Sequence, residues 1–112
     1  MILCLCFLSV ALVAAQEPAQ QPVFPALTEP AYVGVGQVDL KKISLRSARD
    51  LGIIRAQGAL ARAICDPNNE KERVRAFIVG KRHTDELRVG DVLWVRIWIR
   101  KDEVEVDKVC LD

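Results

Sequence analysis

The segment from Ala31 to Ile64 constrains this chain more than any other: a strand carrying Gly34 and Gly36 runs straight into a helix whose inner face is built from small residues. Leu45, Ala48, Gly52, Ala56, Ala59 and Ala63 recur at steps of three and four, so they share one side of a helix. Leu60, Ile53 and Ile64 widen that stripe, while Arg46, Asp50, Gln57 and Arg62 fall on its flanks or opposite it. Small residues on the helix and glycines on the strand both reduce the distance at which two backbones can meet. The pair predicts a helix lying very close against a sheet. Ser44 is a good N-cap, and Asp66-Pro67 ends the helix because proline restricts the residue before it and cannot continue the ladder. Gly58 falls on the outer side with Ile54, where core packing gives it no role.

Downstream, Arg73–Val79 alternates as a strand, with Val74, Ala76 and Ile78 on one side. Gly80–Asp85 reads as a polar connection. Val92–Arg100 is the clearest strand: Val95, Ile97 and Ile99 face one way, and Trp94, Arg96, Trp98 and Arg100 the other. Val104 and Val106 alternate with Glu103, Glu105 and Asp107, so a turn at Lys101-Asp102 is expected to pair this run with the preceding strand. Arg100 would then oppose Glu103, Trp98 would oppose Glu105 and Arg96 would oppose Asp107, with Val104 meeting Ile99 and Val106 meeting Ile97. Lys-Asp is a poor tight turn, which leaves room for a longer loop. The expected fold is α+β in two layers: one long helix on a small, mainly antiparallel sheet in the order β-α-β-β-β.

The amino-terminal part has a different character. Met1–Ala15 is uncharged and apolar, too short to cross a bilayer comfortably as a helix, which takes about 20 residues. Val13 and Ala15 stand where a signal peptidase expects small residues before a cut at Gln16, so 1–15 reads as a signal peptide. No Lys or Arg precedes the apolar run, and an uncleaved anchor is the alternative. Residues 16–30, with Pro18, Pro22, Pro25 and Pro30, read as an extended, solvated spacer. That leaves residues 31–112 as a single domain, small enough to benefit from a covalent staple. With Cys4 and Cys6 inside the leader, Cys65 and Cys110 remain; in an exported chain they are expected to form a disulfide, two buried free thiols being the alternative.

Little in the chain suggests catalysis. Gly34-Val35-Gly36 lacks the third glycine of a dinucleotide fingerprint and the Gly-Lys-Ser/Thr of a phosphate loop. His83, the only histidine, lies in a polar run and reads as an exposed loop residue; two Cys and one His at these spacings match no zinc pattern. The formal net charge of +1 gives no long-range attraction to nucleic acid or an anionic membrane. No cofactor, metal or catalytic residue is expected. The surface that stands out is Trp94, Arg96, Trp98 and Arg100, because Trp and Arg are the residue types enriched at binding hot spots. The plainer alternative is that arginine stems merely shield the indoles on the outer side of the sheet.

The runs Tyr32-Val-Gly-Val-Gly, Ser44-Leu-Arg-Ser-Ala-Arg and Arg55-Ala-Gln-Gly-Ala-Leu-Ala resemble the Lpp-twenty-type surface lipoprotein family, and the amino-terminal domain of the flagellar assembly protein T is similar. The resemblance covers about residues 31–64 and implies a bacterial envelope protein with an assembly or binding role and no catalytic residues to carry over. A lipid-bearing cysteine at the cleavage point is lacking, which favours a periplasmic or secreted protein over a tethered one. The expected function is therefore an exported, non-enzymatic binding or assembly module with a protein partner in the envelope, no nucleic acid, and no stable membrane insertion after cleavage. A cystatin-like secreted protease inhibitor is the alternative. Its Gln-x-Val-x-Gly loop is missing, and Ala76–Gly80 is the nearest segment.

Overall fold

A computed structural model describes residues 22–111. The expected signal peptide and the first part of the spacer lie outside the described residues. The order of elements is β1 (Ala31–Asp39), α1 (Leu45–Cys65), β2 (Arg75–Ala76), β3 (His83–Val89), β4 (Val92–Arg100), a 3-10 turn (Lys101–Glu103), a one-turn helix α2 (Val106–Val109) and β5 (Cys110–Leu111). The main sheet is antiparallel in the order β1-β4-β3, and β2 pairs with β5 in a separate two-stranded ladder. One long helix on a small antiparallel sheet is the expected two-layer α+β arrangement.

The helix rests on β1 and β4 through the small residues. A Cβ placed on Gly34 would come within 2.7 Å of the Leu60 Cα, and nearer still to the Ala56 carbonyl oxygen. One placed on Gly36 would lie 2.7 Å from the Gly52 oxygen and 2.8 Å from the Ala56 nitrogen. These are backbone atoms, so they cannot swing away. Below the helix, Leu60, Val95, Ile97 and Ile99 are fully buried, and Val38, Ala48, Ala56, Ile64, Leu93 and Val109 complete the core.

Both helix ends follow from local chemistry. Ser44 Oγ accepts from the Ser47 N–H at 3.2 Å. At the other end the buried Asp66 accepts from Arg62 Nη1 at 3.1 Å through Oδ2 and from the Glu70 N–H at 2.7 Å through Oδ1, folding the polar loop back onto the helix. On the free edge of β1, Arg55 Nη1 reaches over to the Gln37 carbonyl at 2.7 Å, which occupies an acceptor that an edge strand would otherwise leave open.

Three expectations need correcting. The partner of β4 in the hairpin is β3, not the 104–106 run. The register Val89↔Val92 leaves Gly90-Asp91 as a two-residue turn, and Gly90 has φ +58°, the conformation a tight hairpin requires at that position. Lys101-Asp102 offers no such residue, and the chain beyond β4 instead coils through the 3-10 turn into α2. Next, the strand read across Arg73–Val79 shrinks to Arg75–Ala76, paired with Cys110–Leu111 rather than with the main sheet. The alternation persists, with Val74, Ala76 and Ile78 half-buried and Phe77 exposed. Lastly, the spacer is not wholly solvated: Phe24 is 8% exposed, and its surroundings form part of the site described below.

Cys65 and Cys110 are joined by a disulfide, their Cα atoms 5.6 Å apart. It fastens the carboxyl-terminal turn and β5 to the end of α1. For a sequence separation of 45, the chain-entropy relation gives about 4 kcal/mol of stabilisation. Reduction is expected to lower the denaturant midpoint correspondingly, as measured by urea unfolding with and without reductant.

The glycines separate into two classes with opposite expected outcomes. Gly34→Ala should destabilise the fold by more than about 2 kcal/mol, because the new methyl group meets rigid backbone. Gly58→Ala meets nothing within 4 Å and should stabilise it by about 0.5–1 kcal/mol through helix propensity. Chemical denaturation of both variants checks the contrast.

Candidate functional site

The face of the sheet opposite α1 is formed by alternate residues of all three strands. From β4 come Trp94, Arg96, Trp98 and Arg100; β3 places Leu87, Asp85 and His83 beside the first three, and β1 places Gln37, Val35 and Val33 on their other side. The four residues expected to form a surface do share this face, but they are not equivalent.

Arg96 is the centre, and it is 7% exposed. Its Nε and Nη2 both donate to Asp85 Oδ2, at 2.9 and 2.5 Å. The same oxygen accepts from the Trp98 indole Nε1 at 3.1 Å. A single carboxylate oxygen therefore holds both the guanidinium and the indole. Charge-assisted bonds of this kind contribute about 1.5–3 kcal/mol each when shielded, and less here because Asp85 is partly exposed. His83 stacks on Trp98 with ring centroids 4.0 Å apart and planes inclined by 17°. It is a half-buried strand residue, not the exposed loop histidine expected from the polar run around it. Asp85 likewise sits inside β3, opposite Arg96, where Asp107 was expected.

The remaining nitrogen of Arg96 points at the amino-terminal segment. Nη1 donates to the Pro25 carbonyl at 2.9 Å, and the Phe24 ring lies over the guanidinium, 4.9 Å from Cζ to the ring centroid. Residues 22–30 thus form a strap that crosses the outer face before entering β1. Burying the Phe24 side chain contributes about 1.5–3 kcal/mol, and the cation–π contact about 0.5–2 kcal/mol more. The strap's other anchors are few. Glu29 pairs with Arg100 at 2.7 Å, and the Pro30 carbonyl accepts from the Lys101 N–H at 3.1 Å. Val23, next to Phe24, is 93% exposed.

Arg100 is half-exposed and lies at the rim. A hydrogen bond to Asp102 at 2.6 Å, the charge of Asp102 and then the charge of Glu29 push its pKa above the ordinary arginine value. Trp94 is half-buried beside Leu87 and Gln37. Away from this face, Phe77 and Val79 are 67% and 63% exposed and line a shallow apolar depression of about 330 Å³ with Val109. No described helix is long and apolar enough to cross a membrane. Comparison with known proteins finds no matching family model, curated relative or solved structure.

What sequence reasoning missed is the anchor itself. Asp85 belongs to a strand with no apolar stripe, and Phe24 is a lone aromatic residue in a proline-rich segment. The one available signal was Gly90-Asp91, a turn that would have placed Asp85 across from Arg96.

Two acidic substitutions on β3 should differ in cost. Asp85→Ala leaves the buried Arg96 with two unpaired donors and is expected to destabilise by about 2–3 kcal/mol. Glu86→Ala removes only an exposed ion pair with Arg49 and should cost less than about 1 kcal/mol. Denaturant midpoints, read by tryptophan fluorescence, check the difference.

Proposed function

We propose that the protein is an exported bacterial envelope module, periplasmic or secreted, that binds a protein partner through the outer face of its sheet and performs no catalysis. The observation that carries this reading is the Arg96 anchor. Asp85 fixes both the guanidinium and the Trp98 indole on which His83 stacks, and the guanidinium engages an aromatic ring and a backbone carbonyl of an extended segment. A rigid Arg set among aromatic residues is the composition and geometry of a protein-recognition centre. The Cys65–Cys110 disulfide supports an oxidising compartment. The similarity of residues 31–64 to the Lpp-twenty-type family belongs to the same proposal. His83, the one histidine, has its ring face on Trp98, and the reading gives it a packing role.

Export is tested by the mass of the protein recovered from expressing cells, with a mature chain beginning at Gln16 as the expected result. Binding is tested by capture from an envelope extract. Trp94→Ala together with Leu87→Ala should reduce capture of a specific partner at least tenfold while the thermal unfolding midpoint moves only a few degrees. Capture that is indifferent to both substitutions would sink the proposal.

A further inference from the structure

We infer that the Arg96 anchor is a binding site for an extended peptide carrying an aromatic residue followed by proline, and that residues 22–27 occupy it as an internal stand-in. The inference rests on the proposed binding role of the outer face and specifies its ligand. The occupant's chemistry is visible atom by atom: Phe24 lays its ring over the guanidinium, and Pro25 supplies the carbonyl that takes Nη1. Arg96 does not need the strap to be held in place, since Nε and Nη2 are already committed to Asp85. The third nitrogen and the flat face of the group are thus presented outward, and these are the features an incoming segment would use.

The strap is also poorly retained for a covering element. Val23, Pro25, Ala26, Thr28, Glu29 and Pro30 are exposed, leaving Phe24 as its single buried residue. A segment with so few buried contacts opens locally well below the free energy of global unfolding. Proline at the second position limits the conformational entropy lost when an extended ligand binds. Tethering gives the internal segment a high effective concentration, so an external ligand making the same two contacts binds weakly until the Phe24 contact is removed.

The test uses the full chain and a synthetic hexapeptide, Pro-Val-Phe-Pro-Ala-Leu, with a Phe-to-Ala version as control. Binding is followed by nuclear magnetic resonance at the Trp98 indole and Arg96 guanidinium signals. Phe24→Ala should empty the site without disturbing the core, and it should bind the hexapeptide one-to-one at least tenfold more tightly than the unsubstituted chain. The control peptide should bind at least tenfold more weakly, and adding Arg96→Lys should abolish the preference for the aromatic peptide. A folded, disulfide-bonded Phe24→Ala chain that leaves both signals unmoved, or that binds the two peptides equally, overturns the inference. Because this assay needs no envelope partner, its failure alongside Trp94-dependent capture would remove the ligand class and leave the binding role standing.

Discussion

The backbone contact between β1 and α1 governs the arrangement of everything else. Gly34 and Gly36 have no side chains to hold the helix off, and Gly52 and Ala56 present the matching low surface. A helix seated this closely covers β1 and β4 and reaches β3 mainly through the Arg49–Glu86 ion pair. The consequence is an asymmetric sheet. One face of β4 supplies the fully buried Val95, Ile97 and Ile99; the other is left to be covered by something that is neither helix nor strand. The strap fills that role.

This asymmetry explains which parts of the chain could be read in advance. In α1 and β4 the buried residues recur at the expected spacing, Ala48, Gly52, Ala56, Leu60 and Ile64 on the helix and Val95, Ile97 and Ile99 on the strand, although Leu45, expected on the inner face, is exposed at the first turn; the glycine–alanine match predicts how closely β1 and α1 meet. β3 has no such pattern. Thr84, Glu86 and Arg88 point to the helix side and are exposed among the described residues, so the strand carries no buried apolar side and its start, His83–Asp85, reads as part of a polar connection. The 104–107 run mimics a strand because its valines and acids alternate at the right spacing. The competition is decided by turn chemistry, since Gly90 can adopt a positive φ and Lys101-Asp102 contains no glycine.

The outer face was legible in its membership and not in its organisation. Period-two alternation places Trp94, Arg96, Trp98 and Arg100 together. It does not reveal that Arg96 is buried, that one oxygen of Asp85 serves both Arg96 and Trp98, or that Phe24 completes the cluster from far along the chain. The Asp85 relations depend on a hairpin register whose one local mark is Gly90-Asp91, and the Phe24 relation is a long-range contact that leaves none. The disulfide is easier to read, because only two cysteines, Cys65 and Cys110, lie beyond the apolar amino-terminal run. Its physical role is to hold β5 and the one-turn helix, elements too short to persist without the tether.

Two contacts on opposite sides of one sheet coexist in this molecule: glycine strand against helix backbone, and Phe24 against a fixed Arg96. Nuclear Overhauser contacts in a single sample of the oxidised protein test both together. The structure requires contacts from the Gly34 α-protons to Leu60 and from the Gly36 α-protons to Ala56, alongside contacts from the Phe24 ring to the Arg96 side chain. Glycine contacts present with a Phe24 ring that touches only solvent would contradict it.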